Sequence, residues 1–97
     1  MSLIHYENDF SSLISKKAVV DFYADWCGPC KMFGPVFEEE ALLNDFNFVK
    51  VNVDDNADIA KEYGVMTIPT VILFKDGKEI KRNIGFMTQD GLKEFLK

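Results

Sequence analysis

Apolar and polar positions change period several times along the chain, and each change marks an element. Ala18-Val19-Val20-Asp21-Phe22-Tyr23-Ala24 is apolar on both faces except at one residue. That pattern predicts a strand buried in a parallel sheet. Leu3 to Tyr6 reads as a short edge strand before it. Between them Phe10, Leu13 and Ile14 fall at i, i+3, i+4, the spacing of one helical face, with Asn8 as the expected cap. A long helix is expected from Cys27 to Asn44. Pro29 suits its first turn, where no intrahelical N–H bond is lost. Pro35 falls inside it and predicts a kink. Val49, Val51 and Val53 then alternate with Phe48, Lys50 and Asn52, which is the period of a strand. Ile59, Ala60 and Tyr63 define a third helix, capped by Asn56 and ended by Gly64. Thr70 to Lys75 is a second buried strand, and Asp76-Gly77 turns it tightly into Lys78 to Ile84. Lys78, Glu79, Lys81 and Arg82 crowd that last strand with charge, which suits an exposed edge. Thr88 caps a final helix that packs through Leu92, Phe95 and Leu96.

The order is βαβαβαββα, an α/β chain. Right-handed crossovers place helices on both faces of one central mixed sheet. The 97 residues suffice for one domain, 1–97, and not two. Hydrophobic residues make up 47% and charged residues 28%, the proportions of an ordinary globular protein. The net charge of −5 argues against nucleic acid, whose phosphates need a basic patch, and against anionic membrane surfaces. No apolar run approaches a membrane span. Met1 to Tyr6 carries neither a basic n-region nor a long apolar h-region, so a cytoplasmic protein is expected.

The chemistry centres on Trp26-Cys27-Gly28-Pro29-Cys30, which holds both cysteines of the chain. Closing a ring that small contributes on the order of 2 kcal/mol, less than a longer loop would give. A pair so placed is a poor staple but a good reversible couple. Zinc wants four ligands, and the chain offers two cysteines with His5 far upstream. Cys27 falls where strand gives way to helix. Backbone N–H groups and the helix dipole there favour its thiolate. Cys30, one turn further in, is expected to be less exposed and less acidic. Cys27 would therefore attack a substrate disulfide, and Cys30 would resolve the mixed disulfide.

Asp21 interrupts an apolar strand on the face shared by Val19 and Tyr23. A buried carboxylate is costly unless paired. Two readings stand: a proton acceptor for Cys30, or a satisfied core acid paired with Lys50. Pro69, in Thr67-Ile68-Pro69-Thr70, reads from spacing as a strand-start proline.

Taken together, Val-Asp-Phe before Trp-Cys-Gly-Pro-Cys-Lys, Ile-Pro-Thr downstream and Gly85 make the chain resemble the thioredoxin family over essentially its whole length. The resemblance implies the thioredoxin fold, with Cys27 as nucleophile and Cys30 as resolving thiol. It matches Asp21 to the family's buried acid and Lys50 to the lysine near it. It makes Pro69 a cis-proline beside the dithiol, with Ile68 pairing through its backbone with substrate. Trp26, Gly28, Pro29, Met66, Thr67, Ile68, Gly85 and Phe86 would line an apolar docking surface. Tyr23 departs from the pattern, because many members carry Trp there, and Asp25 makes the edge of the site acidic.

The implied activity is general protein disulfide reduction without a cofactor beyond the dithiol. The implied partners are disulfide-containing client proteins and a thioredoxin reductase, flavin-dependent with NADPH or ferredoxin-linked. A monomer is expected. A disulfide oxidant or isomerase is the alternative on the same fold, but those relatives often carry His between the cysteines, where this chain has Gly28-Pro29. A binding subunit without redox turnover is the third reading, and an intact Cys-Gly-Pro-Cys argues against it.

Overall fold

The structure is a computed structural model that describes residues 2–97; Met1 lies outside the described residues. The elements are β1 (Leu3–His5), α1 (Phe10–Leu13), β2 (Ala18–Tyr23), α2 (Gly28–Leu43), β3 (Asn47–Asn52), α3 (Ala57–Glu62), β4 (Thr70–Lys75), β5 (Lys78–Ile84) and α4 (Gln89–Phe95). Their order is the one expected from the sequence, with boundaries moved by a residue or so at several ends. They form one five-stranded sheet in the order β1-β3-β2-β4-β5. β1, β3 and β2 are parallel, while β4 runs antiparallel to both β2 and β5.

Strand alternation distributes the apolar side chains to two faces. Ala18, Val20 and Phe22 of β2 join Phe10, Ile14, Ile59 and Ala60, so α1 and α3 cover one face. Val19 joins Phe33, Phe37, Ala41, Leu92 and Leu96, so α2 and α4 cover the other. Five phenylalanines, at 22, 33, 37, 48 and 74, are fully buried. Each such burial is worth on the order of 2–3 kcal/mol. The β4–β5 hairpin turns through Asp76 and Gly77, both at positive φ (55° and 81°), as a two-residue turn of the primed type requires.

One expected cap is replaced, and another is in place without a side-chain bond. Asp9, not Asn8, occupies the N-cap of α1, with φ of 57° and no side-chain cap bond. Asn56 does occupy the N-cap of α3 but does not cap through its side chain. Its amide instead donates to the carbonyl of Asn52 at 3.0 Å, back into the preceding turn. Thr88 caps α4 as expected, accepting from the Gly91 N–H at 3.1 Å. α2 continues through Pro35 without a break in the helix.

The strand directions decide where the chemistry can sit. β2 and β5 both run antiparallel to β4. The end of β2, the start of β4 and the end of β5 therefore meet at one end of the sheet. Cys27 follows β2, Pro69 precedes β4 and Gly85 follows β5.

Candidate active site

Cys27 and Cys30 are joined as a disulfide, their Cα atoms 5.2 Å apart. The turn that delivers them is closed by the Cys27 N–H on the Ala24 carbonyl at 3.3 Å. Cys27 is the N-cap of α2, and its Sγ accepts the backbone N–H of Cys30 at 3.3 Å. Pro29 lies in the first turn of α2, as its spacing predicted. The expected difference in exposure between the cysteines is absent: both are 5% exposed. The loop before β4 lies over Cys27, whose sulfur is 3.8 Å from the Ile68 carbonyl oxygen. The asymmetry of the pair lies in the cap position, not in burial.

The disulfide packs on Ala24, with Tyr23, Val53 and Ile68 around it. The Ile68–Pro69 peptide bond is cis, which spacing did not predict and the family resemblance did. The Pro69 carbonyl accepts the Gly85 N–H at 2.8 Å, and Gly85 has φ of 101°, where glycine is favoured. Phe86 is edge-on to Phe33 of α2, ring centroids 6.3 Å apart. Trp26, Gly28, Pro29 and Thr67 are exposed around the disulfide end of the sheet. The Trp26 indole donates to Asp54 at 2.8 Å, a tether the sequence reading did not find. Met66 is 94% exposed and lines a shallow apolar hollow with Val53, Ala57, Ala60 and Val65, one step outside the ring of residues that pack on the disulfide.

Asp21 is 1% exposed, and neither carboxylate oxygen has a hydrogen-bond partner among the described residues. It lies opposite Lys50 on β3 and Val71 on β4. The direct Asp21–Lys50 pair of the second reading does not form, as hydrogen bond or close ion pair, among the described residues. Lys50 is bonded to Glu38 of α2 at 3.4 Å, and its ammonium lies over the Tyr23 ring, 4.7 Å from the centroid. Burial drives the Asp21 carboxyl up from 3.8 to about 7. The Lys50 charge opposes that rise, and the Glu38 charge adds to it. A carboxyl that titrates near neutrality can give and take protons there, whereas an ordinary aspartate cannot.

Those features define a thiol–disulfide oxidoreductase: a dithiol couple at a helix N-terminus, a cis-proline loop over the Cys27 sulfur and, on the strand that leads into the dithiol turn, a buried acid raised toward neutrality. The comparisons with known proteins agree. The thioredoxin family model matches residues 2–97. Thioredoxin of Mycoplasmoides gallisepticum is 56% identical over 84 residues, covering 86% of this chain and 84% of the relative. Thioredoxin of Bacillus subtilis is 41% identical over 93 residues, covering 93% and 89%. Among solved structures, a mutant thioredoxin from Halobacterium salinarum superposes with a TM-score of 0.91 at 36% identity, covering 97% of this chain and 87% of that one. The chain belongs to the thioredoxin family, and its activity is protein disulfide reduction by dithiol–disulfide exchange. No helix of the described residues is long and apolar enough to cross a membrane.

Proposed function

We propose that Cys27 attacks client disulfides, that Cys30 resolves the mixed disulfide, and that Asp21 takes the Cys30 proton. The observation that carries the assignment is the cap geometry: the Cys27 sulfur accepts a backbone N–H at the positive end of a 16-residue helix. In the reduced protein the same N–H and dipole favour a thiolate on Cys27. That thiolate bonds one client sulfur, and the client S–S bond breaks, releasing the other as a thiolate. The Cys30 proton then passes to the Asp21 carboxylate. The Cys30 sulfur bonds Cys27, and the client leaves with two electrons gained. The Cys27–Cys30 disulfide that remains is the state of the structure.

The docking surface is formed by Trp26, Gly28, Pro29, Thr67, Ile68 and Pro69, with Gly85 and Phe86 at its edge and Met66 as its outlying member. The Ile68 carbonyl, close over the Cys27 sulfur, supports backbone pairing with an extended client segment at that residue. Residues 1–97 act as one domain and as a monomer in the cytoplasm, needing no cofactor beyond the dithiol. A thioredoxin reductase recharges it, either flavin-dependent with NADPH or ferredoxin-linked.

The test is trapping. Cys30→Ser should accumulate a covalent adduct with a disulfide-bonded protein such as insulin, and Cys27→Ser should not. If Cys30→Ser releases client at the wild-type rate, the roles are wrong. A binding subunit would keep its function in the double variant Cys27→Ser, Cys30→Ser; a reductase loses it.

A further inference from the structure

The cation opposite Asp21 is engaged elsewhere. Lys50 faces Asp21 across the β2–β3 pairing. Its ammonium is nevertheless bonded to Glu38, on the solvent side of α2, and lies over the Tyr23 ring. The Lys50 side chain is 11% exposed and its partner Glu38 is half exposed. Gly34, one turn before Glu38, lies beside the pair: a Cβ there would sit 3.7 Å from the Lys50 ammonium and 3.8 Å from the Glu38 carboxylate, ordinary contact distances. The Asp21 oxygens are left with no hydrogen bond among the described residues. As a stability device this ion pair is weak, because half-exposed pairs contribute about 1 kcal/mol or less. Both members of the pair act on the Asp21 carboxyl, the Lys50 charge lowering it and the Glu38 charge raising it.

We propose that Glu38 is a positioning residue for the resolving step, holding the Lys50 ammonium away from the Asp21 oxygens so that Asp21 remains a base able to accept the Cys30 proton. The inference rests on the reading of Asp21 given above. In that step the Cys30 S–H bond breaks and its proton goes to an Asp21 oxygen. The Cys30 sulfur bonds Cys27, and the client sulfur leaves with the electrons of its bond to Cys27. An Asp21 closed into a direct pair with Lys50 would be fully ionised but a poorer acceptor. The groups facing Asp21 are few. Lys50 comes from β3, Glu38 from α2 and Tyr23 from β2 itself, while β4 presents Val71. Glu38 acts in both ways open to it: its own negative charge raises the Asp21 carboxyl, and its bond keeps the lowering charge of Lys50 at a distance.

The experiment is a carboxyl-carbon NMR titration of Asp21 in the oxidised protein, paired with the pH profile of single-turnover insulin reduction. Glu38→Gln should move the Asp21 midpoint to lower pH by on the order of half a unit. The reduction profile should move the same way. Glu38→Asp should restore much of the wild-type midpoint. In a Lys50→Met background the Glu38→Gln shift should shrink, because the cation being held is gone. A midpoint that stays or rises in Glu38→Gln overturns the proposal. So does a midpoint that falls without any movement of the reduction profile. If instead Asp21→Asn reduces insulin at the wild-type rate, the Asp21 reading fails, independently of where Glu38 sets the midpoint.

Discussion

Two carboxylates are buried in this chain, and they are buried in opposite ways. Asp21 is 1% exposed with no hydrogen-bond partner among the described residues. Glu40 is 3% exposed and accepts from Lys93 at 2.5 Å, from the Gln89 amide at 2.8 Å and from the Asn44 amide at 3.3 Å. Burial pushes both carboxyls up. At Glu40 the hydrogen bonds from Lys93, Gln89 and Asn44, with the Lys93 charge, outweigh it and hold the carboxyl below its ordinary value. At Asp21 burial prevails, and the carboxyl rises to about 7. The satisfied acid joins α2 to α4, and its carboxyl is held below its ordinary value. The unsatisfied acid lies on β2, the strand that leads into the dithiol turn, and its raised carboxyl can change state near neutral pH. Burial is common to both acids; what separates Asp21 is the absence of partners, the condition that makes a buried acid a candidate for proton transfer.

The widest separation between the two is expected in rate. Asp21→Asn should slow resolution of the mixed disulfide by roughly 10²- to 10⁴-fold, the usual contribution of a positioned base. Glu40→Gln should leave it within about twofold, since Glu40 touches nothing in the reaction. Stopped-flow reduction of insulin at pH 7 measures both, and equal losses would erase the distinction.

Stability against pH separates them next. The unfolded Asp21 ionises near 3.8 and the folded one near 7, so the folded state holds the extra proton between those values. Stability must therefore fall as pH rises through that window and level off above it. Relative to Asp21→Asn, the wild type should lose on the order of 4 kcal/mol between pH 4 and pH 8 in urea unfolding. The sign is reversed at Glu40. Its contribution is present above the ordinary glutamate range and lost as pH falls through its lowered folded value. The smallest effect expected is that of Glu40→Ala, a loss of about 2 kcal/mol at pH 7 for the charged hydrogen bonds removed. Half of the Lys93 side chain already reaches water, so that cation is not left stranded. A denaturation midpoint unchanged in Glu40→Ala would show that the network adds nothing net.

The two acids were not equally legible. Asp21 stood out because it broke a seven-residue apolar run. Glu40 did not, because it sits among Glu38 and Glu39 and reads as part of a solvated face. The signal was its register: it lies three residues after Phe37 and seven after Phe33, on the buried stripe of α2. The elements themselves could be read because strand and helix periods are local properties of the chain. The Glu38–Lys50 pair spans twelve residues and two elements, and the Trp26–Asp54 tether spans twenty-eight. Such meetings depend on how α2 and the loop after β3 lie against the sheet, and local periodicity does not encode that. The cap of α1 was misplaced by one residue for a related reason. Asp9 and Asn8 are equally good cap residues by type, and the choice between them follows from the turn that brings β1 into α1.

One further consequence comes from Pro35. A proline has no N–H to give to the carbonyl four residues back, which here belongs to Lys31. α2 therefore lacks one rung of its hydrogen-bond ladder, between the part that carries Cys30 and Phe33 and the part that carries Phe37, Glu40 and Ala41. The bonds on either side of that rung still run across it, so the proline leaves the Lys31 carbonyl without its helical donor and does not divide the helix.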